Sequence, residues 1–309
     1  MLGELPKLKS LNLASTDVSG DLGALSGSKS LQMIRLQNTK ITGNLEALRK
    51  ATNLQRLSLD HTRVTGDLKA LENATALTRL RLPQTKVAGD LKALRNAEGL
   101  REINLPGTQV TGNLASLRDL FERDTMDFLD LREAKVSGDL VNLRGSSFVH
   151  VDLSKCRIWG DIRHVDRSYL EHLDLSQTQV SGKFHETYGR EGTYNANLKF
   201  LDISSTFVKG SISASRMYDL RTFKAAGCEL HGTLPAAGFP SLVTLDLTSN
   251  KVSSVEDVPG RCRTLILAGN PNMSFATGVL RRGVERAVYI DLRNVSYTNG
   301  TVAWSISFV

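Results

Sequence analysis

A phrase recurs along this chain at a fixed period, and such a period constrains a fold more tightly than composition does. Leu8, Leu31, Leu54, Leu77 and Leu100 fall 23 residues apart and open the same stretch each time. The first reads LKSLNLASTDVSGDLGAL and the third LQRLSLDHTRVTGDLKAL, which gives the pattern LxxLxLxxTxVxGxLxxL. Later units diverge but stay in register, from Leu129 with Leu131 through Val151 with Leu153 to Ile290 with Leu292, thirteen in all. The alternating apolar residues of LxLxx predict a short strand with one buried face. The glycine after Val or Ile predicts a sharp turn that a Cβ would resist. No unit of this size buries its own face, so stability must come from stacking neighbours.

One polar column runs through the stack: Thr16, Thr39, Thr62, Thr85, Thr108, Ala134, Cys156, Thr178, Thr206, Cys228, Asn250, Asn270, Val295. Its expected task is to satisfy loop backbone groups buried by stacking. Pattern and column together resemble the leucine-rich-repeat family over nearly the whole chain. The TxVxGDL segment is similar to the plant-type class, except that Asp or Asn follows the glycine. The usual Pro is mostly missing, Leu234–Pro235 being the clear instance. The resemblance implies a right-handed α/β solenoid with a parallel sheet on its concave side and an irregular or short-helical convex side. A single domain over 1–309 is expected, with repeats one to twelve in 1–286 and, in 287–309, the last repeat plus a capping hairpin, whose turn is read at Thr298-Asn299-Gly300-Thr301 and whose strand alternates Val302, Trp304, Ile306 and Phe308. Because the chain begins in register at Leu2, a segment of a longer protein is also expected.

The residues that alternate with the strand leucines should face the concavity. One column reads Ser10, Met33, Arg56, Arg79, Glu102, Phe128, His150, His172, Phe200; the next reads Asn12, Arg35, Ser58, Arg81, Asn104, Asp130, Asp152, Asp174, Asp202. The early face is therefore basic, through Arg35, Arg56, Arg79 and Arg81. The middle is acidic, through Asp130, Asp152, Asp174 and Asp202, with Phe128, His150, His172 and Phe200 beside it. A bipolar face suits a protein or peptide partner of opposite polarity, though an Asp column is equally readable as scaffold chemistry. His150, Asp152, His172 and Asp174 offer the donor types of a divalent-metal site, which stands as an alternative.

Two units are longer than the rest, with extra residues at Arg118–Asp127 and Lys183–Asn197. In the second, Tyr188, Arg190 and Tyr194 are the binding candidates, since loops that break a repeat often carry function.

Other classes fit poorly. His-x-Asp-x-Ser occurs twice, but no GxSxG elbow accompanies it, so no enzymatic activity is expected. No cofactor motif is present, and no oligomeric state is implied. Net charge is +7, yet basic residues are not interleaved with aromatics on the expected face, which disfavours nucleic acid. No apolar run reaches the roughly 18 residues that span a bilayer. No secretory signal is visible and cysteines number 3, which points to an intracellular (cytoplasmic) scaffold or adaptor. Sequons at Asn73, Asn272, Asn294 and Asn299 keep an extracellular receptor-type ectodomain open.

Overall fold

The structure, a computed structural model, describes residues 7–123, 125–165, 168–188, 197–213, 215–275 and 289–295. Two compact units divide between Ile158 and Trp159. In the first unit, three-residue strands at Ser10–Asn12, Met33–Arg35, Arg56–Ser58, Arg79–Arg81, Glu102–Asn104, Phe128–Asp130 and His150–Asp152 pair in parallel, each on the equivalent residues of the next. In the second, His172–Asp174, Phe200–Asp202, Thr222–Lys224, Thr244–Asp246, Thr264–Ile266 and Tyr289–Asp291 pair the same way. These strands make up the first sheet of each unit. The middle residue of each points inward: Ile34, Leu57, Leu80, Ile103, Leu129 and Val151 are fully buried. Each buried Leu or Ile contributes about 1.5–3 kcal/mol relative to exposure, so the repeated LxL is the main cohesive element.

A second set of parallel strands follows the Thr column, with Thr65–Asp67, Lys86–Asp90, Gln109–Asn113 and Lys135–Asp139 in the first unit. These end on the Asp or Asn that departs from the plant-type pattern, and the structure shows its purpose. Asp21, Asn44, Asp67, Asp90, Asn113 and Asp139 each accept a hydrogen bond from the backbone N–H two residues on, capping a 3-10 turn such as Leu45–Leu48 or Leu91–Leu94. Asp161 does the same in the second unit, where Ser211 Oγ also accepts from the Ser213 N–H. A helix N-terminus leaves its first N–H groups unpaired, and a cap of this kind is worth about 1 kcal/mol. Gly43 shows why glycine precedes it. Its φ is +105°, and a Cβ there would sit 2.6 Å from Asp21 Oδ1 and 2.7 Å from Leu22 N.

The polar column behaves as expected of it. Thr39, Thr62, Thr85, Thr108, Thr178 and Thr206 donate to the carbonyl three residues back, at 2.6–2.8 Å. Ala134 has no hydroxyl to serve Leu131, and there the next unit's Cys156 Sγ bonds Leu131 O at 3.0 Å. Asn250 Nδ2 reaches Ala225 O at 2.7 Å and Leu247 O at 3.0 Å, and its Oδ1 accepts from Leu230 N. All three cysteines are free and buried. Burial pushes the Cys156 thiol up to about 12, which makes it inert.

The expected capping hairpin at 298–301 with its strand to Phe308, and the first residues around Leu2, lie outside the described residues.

Candidate binding face

In the first unit the strand register sets a grid of side chains on the outward face. Arg56 lies beside Met33 and Arg79, and Ser58 lies beside Arg35 and Arg81. Glu102 and Asn104 follow next to Arg79 and Arg81. The four arginines are thus brought together, with two different fates. Arg81 is held on both sides, Nε to Asp60 Oδ2 at 3.2 Å and Nη1 to Glu102 Oε1 at 2.9 Å. Arg79 Nε lies 3.9 Å from Glu102 Oε2. Arg35 and Arg56 have no carboxylate within 4 Å among the described residues. The sequence pattern by itself gives the counter-ions Glu102 and Asp60 no role. Glu102 was legible as the next residue of the Arg56–Arg79 column; Asp60 belongs to a third column, two residues beyond Ser58.

Farther along the same unit the Phe128 and His150 rings stack at 4.2 Å and 4°. The carboxylates beneath them are buried, Asp130 at 5% and Asp152 at 2% exposure. Each caps its own turn: Asp130 Oδ1 accepts from Arg132 N, and Asp152 Oδ1 from Ser154 N and Oγ. Arg132 bridges the pair at 3.8 and 3.5 Å. In the second unit His172 and Phe200 stack at 4.2 Å and 8°, and Lys224 Nζ lies 6.0 Å from the Phe200 centroid. Asp174 and Asp202 again accept from the N–H two residues on. Burial pushes the Asp202 carboxyl above its usual range; hydrogen bonds from Ser204 oppose this, and Asp174 adds to it. The acidic column therefore has a clear structural task in every strand that carries it.

The four residues of the metal alternative divide between the units, His150 and Asp152 in one, His172 and Asp174 in the other. Among the described residues no group of three or more His, Cys, Asp or Glu is placed to hold a metal ion.

No family model matches the sequence, and no curated protein does. Solved structures do resemble it. A plant peptide hormone receptor, RGFR1 in complex with RGF2, gives a TM-score of 0.75 at 20% identity, over 96% of this chain and 53% of that one. The Arabidopsis receptor kinase HAESA LRR ectodomain, with a peptide hormone ligand, gives 0.75 at 20%, over 96% and 52%. An internalin from Listeria monocytogenes gives 0.54 at 18%, over 89% and 88%. The fold is a leucine-rich-repeat solenoid. This leucine-rich-repeat chain spans about half the length of the plant receptor structures.

Each of the two repeat-breaking insertions of this solenoid sends aromatic side chains into the core. Arg118–Phe121 is a helical turn whose Phe121 packs edge-on against Phe148 at 5.5 Å. Phe184–Tyr188 is another, and it corrects the expectation for Tyr188. That side chain is 1% exposed, tilted against Phe184 at 4.9 Å, and is a core residue unable to meet a partner. Arg190 and Tyr194 lie outside the described residues. Among those described, no helix is long and apolar enough to cross a membrane.

Proposed function

We propose that this solenoid is a non-catalytic binding module that holds a protein or peptide on the outward face of its first sheet. The observation that carries this is the grid of Arg35, Arg56, Arg79 and Arg81 on consecutive strands, followed by the Phe128–His150 stack. Short strands fixed by a buried Leu or Ile present these side chains without ordering a loop, so little conformational entropy is lost on binding. Two solved structures of the same fold are described as receptors with peptide hormones, which supports a peptide-sized partner.

The receptor-type ectodomain is favoured here over the intracellular scaffold or adaptor that the sequence suggested. Supporting it are those neighbours and the exposure of Asn73, Asn272 and Asn294, each in a sequon; Asn299 is outside the described residues. Expression through the secretory route of eukaryotic cells should yield protein whose mass falls on treatment with an N-glycosidase. A secreted product with no such mass loss would return the intracellular reading to first place.

For the binding face, wild type is compared with an Arg35→Ser/Arg56→Ser/Phe128→Ser variant in affinity capture with mass spectrometry. The buried Asp152 and the half-buried Asp174 are left intact because their loss would disturb the turns they cap. Partners lost only from the variant support this face. Identical partners for both proteins would place binding elsewhere.

A further inference from the structure

We propose that the first unit carries a subsite for a tetrahedral oxyanion, a sulfate ester or phosphate on the partner peptide, centred over Ser58. The proposal rests on the peptide-binding reading and specifies its chemistry.

Ser58 is the shortest side chain in its neighbourhood. In register beside it stand Arg35 on one strand and Arg81 on the other. Arg56 precedes it by two residues on its own strand, and Arg79 lies beside Arg56. With strands about 4.8 Å apart and rows about 6.6 Å apart, a small residue surrounded by four arginines leaves a dimple rimmed by guanidinium groups. Ser58 Oγ has no hydrogen-bond partner among the described residues, so it is free to donate.

Ion pairing makes this arrangement selective. Glu102 and Asp60 hold Arg81 from both sides and leave its Nη2 without a partner among the described residues. Arg81 is thereby fixed before any ligand arrives. Arg35 and Arg56 carry uncompensated charge on the opposite rim. Asp60 and Glu102 both lie against Arg81 and repel an anion on that side, so the ligand is centred toward Arg35 and Arg56. Four like charges side by side on a sheet destabilise one another, and two carboxylates relieve only part of that. A group with several oxygens and a full negative charge accepts from several guanidinium donors at once, which a single carboxylate does less well.

The test is calorimetric titration of the intact protein at low ionic strength with inorganic sulfate, inorganic phosphate, O-sulfotyrosine and O-phosphotyrosine, using acetate as the carboxylate control. Expected is saturable binding of the tetrahedral anions at least ten-fold tighter than acetate. Arg35→Gln/Arg56→Gln should weaken it ten-fold or more, and Ser58→Glu should abolish it, with thermal unfolding in chloride buffer unchanged for the double variant. Arg63→Gln/Lys86→Gln, which removes equal charge from elsewhere on the surface, should change affinity less than two-fold. Phosphate has a second ionisation near pH 6. An affinity that falls several-fold from pH 7.5 to 5.5 for O-phosphotyrosine, against constant affinity for O-sulfotyrosine, separates the two sources, and tight binding of either supports the site. Acetate binding as tightly as sulfate overturns the proposal, as does equal loss in the Arg63/Lys86 control. If the anions fail to bind while partner capture still depends on Phe128, the subsite alone falls. If they bind while capture ignores every change on this face, the peptide-binding reading falls instead.

Discussion

The two units reach the same fold by different means. The first opens with five near-identical 23-residue phrases, each with its Leu or Ile strand, its Thr hydroxyl on the carbonyl three residues back and its Asp or Asn cap on a 3-10 turn, and only its last two repeats, with Ala134 and Cys156 in the ladder, depart from this. The second keeps the strands but varies the rest. Its ladder mixes Thr, Cys and Asn, and its core holds a run of large rings: Phe184 lies 5.3 Å from Phe223, and Phe223 6.0 Å from Phe239. Among its described residues the first unit uses this device at Phe121 and Phe148, next to the insertion that breaks its period. Where the phrase is regular, many small local interactions repeat. Where extra chain widens a repeat, large rings fill the volume, because interiors tolerate few voids.

The sharpest way to separate these modes is to remove one core side chain from each. Phe223→Ala should cost about 3–5 kcal/mol and Leu80→Ala less, within the 2–5 kcal/mol seen for buried leucines. Chemical denaturation gives the totals, and hydrogen exchange should show faster exchange at Thr222–Lys224 and Thr244–Asp246 for the first variant. A smaller loss for Phe223 than for Leu80 would erase the distinction.

A second contrast lies in the ladder. Asn250→Ala strands Ala225 O and the Leu230 N–H as well as its own turn, so a loss of about 2–3 kcal/mol is expected. Thr85→Ala removes one bond within its own repeat and should cost about 1 kcal/mol. Equal losses on denaturation would mean that the Asn bonds across repeats carry no extra stability.

The smallest effect is electrostatic. In the folded second unit the Asp202 carboxyl is held above its usual value, first by burial, so the folded state keeps that proton to higher pH than the unfolded chain. The unfolded carboxyl titrates near pH 4. Asp202 therefore contributes a loss of stability as pH rises from about 4 through its folded value, and the loss persists above it. Asn keeps the acceptor for Ser204 N without the charge. Asp202→Asn should flatten this part of the pH–stability curve and raise neutral-pH stability slightly, by less than either ladder substitution changes it. A variant curve parallel to wild type from pH 4 to 7 would show that the buried charge is fully compensated.

The period alone made the strands, their register and the arginine columns legible, because alternation about a buried Leu leaves little choice of face. The Asp or Asn after glycine was visible as a departure from the plant-type pattern; its capping role was readable in principle from its position before a Leu-rich turn. Tyr188 was not legible, since an insertion has no period to say which way its side chains point. The partial neutralisation of Arg79 and Arg81 is hidden for another reason. Glu102 stands in the same column as Arg79, but a column does not say which of two adjacent arginines a carboxylate will hold, and Asp60 lies one column farther than the strand pattern reaches.

The polar ladder also bears on how such a chain can change length. A Thr such as Thr62 or Thr85 serves its own repeat, so a whole 23-residue unit there can be duplicated or lost with every side-chain bond of the ladder intact. Cys156 supplies the side-chain bond to Leu131 O that Ala134 cannot make, and Asn250 and Asn270 each reach into the repeat before them. Copying or deleting one repeat at those joints separates a donor from its acceptor. Gain and loss of repeats is therefore expected to be confined to the threonine stretch, with the cysteine and asparagine joints inherited as pairs.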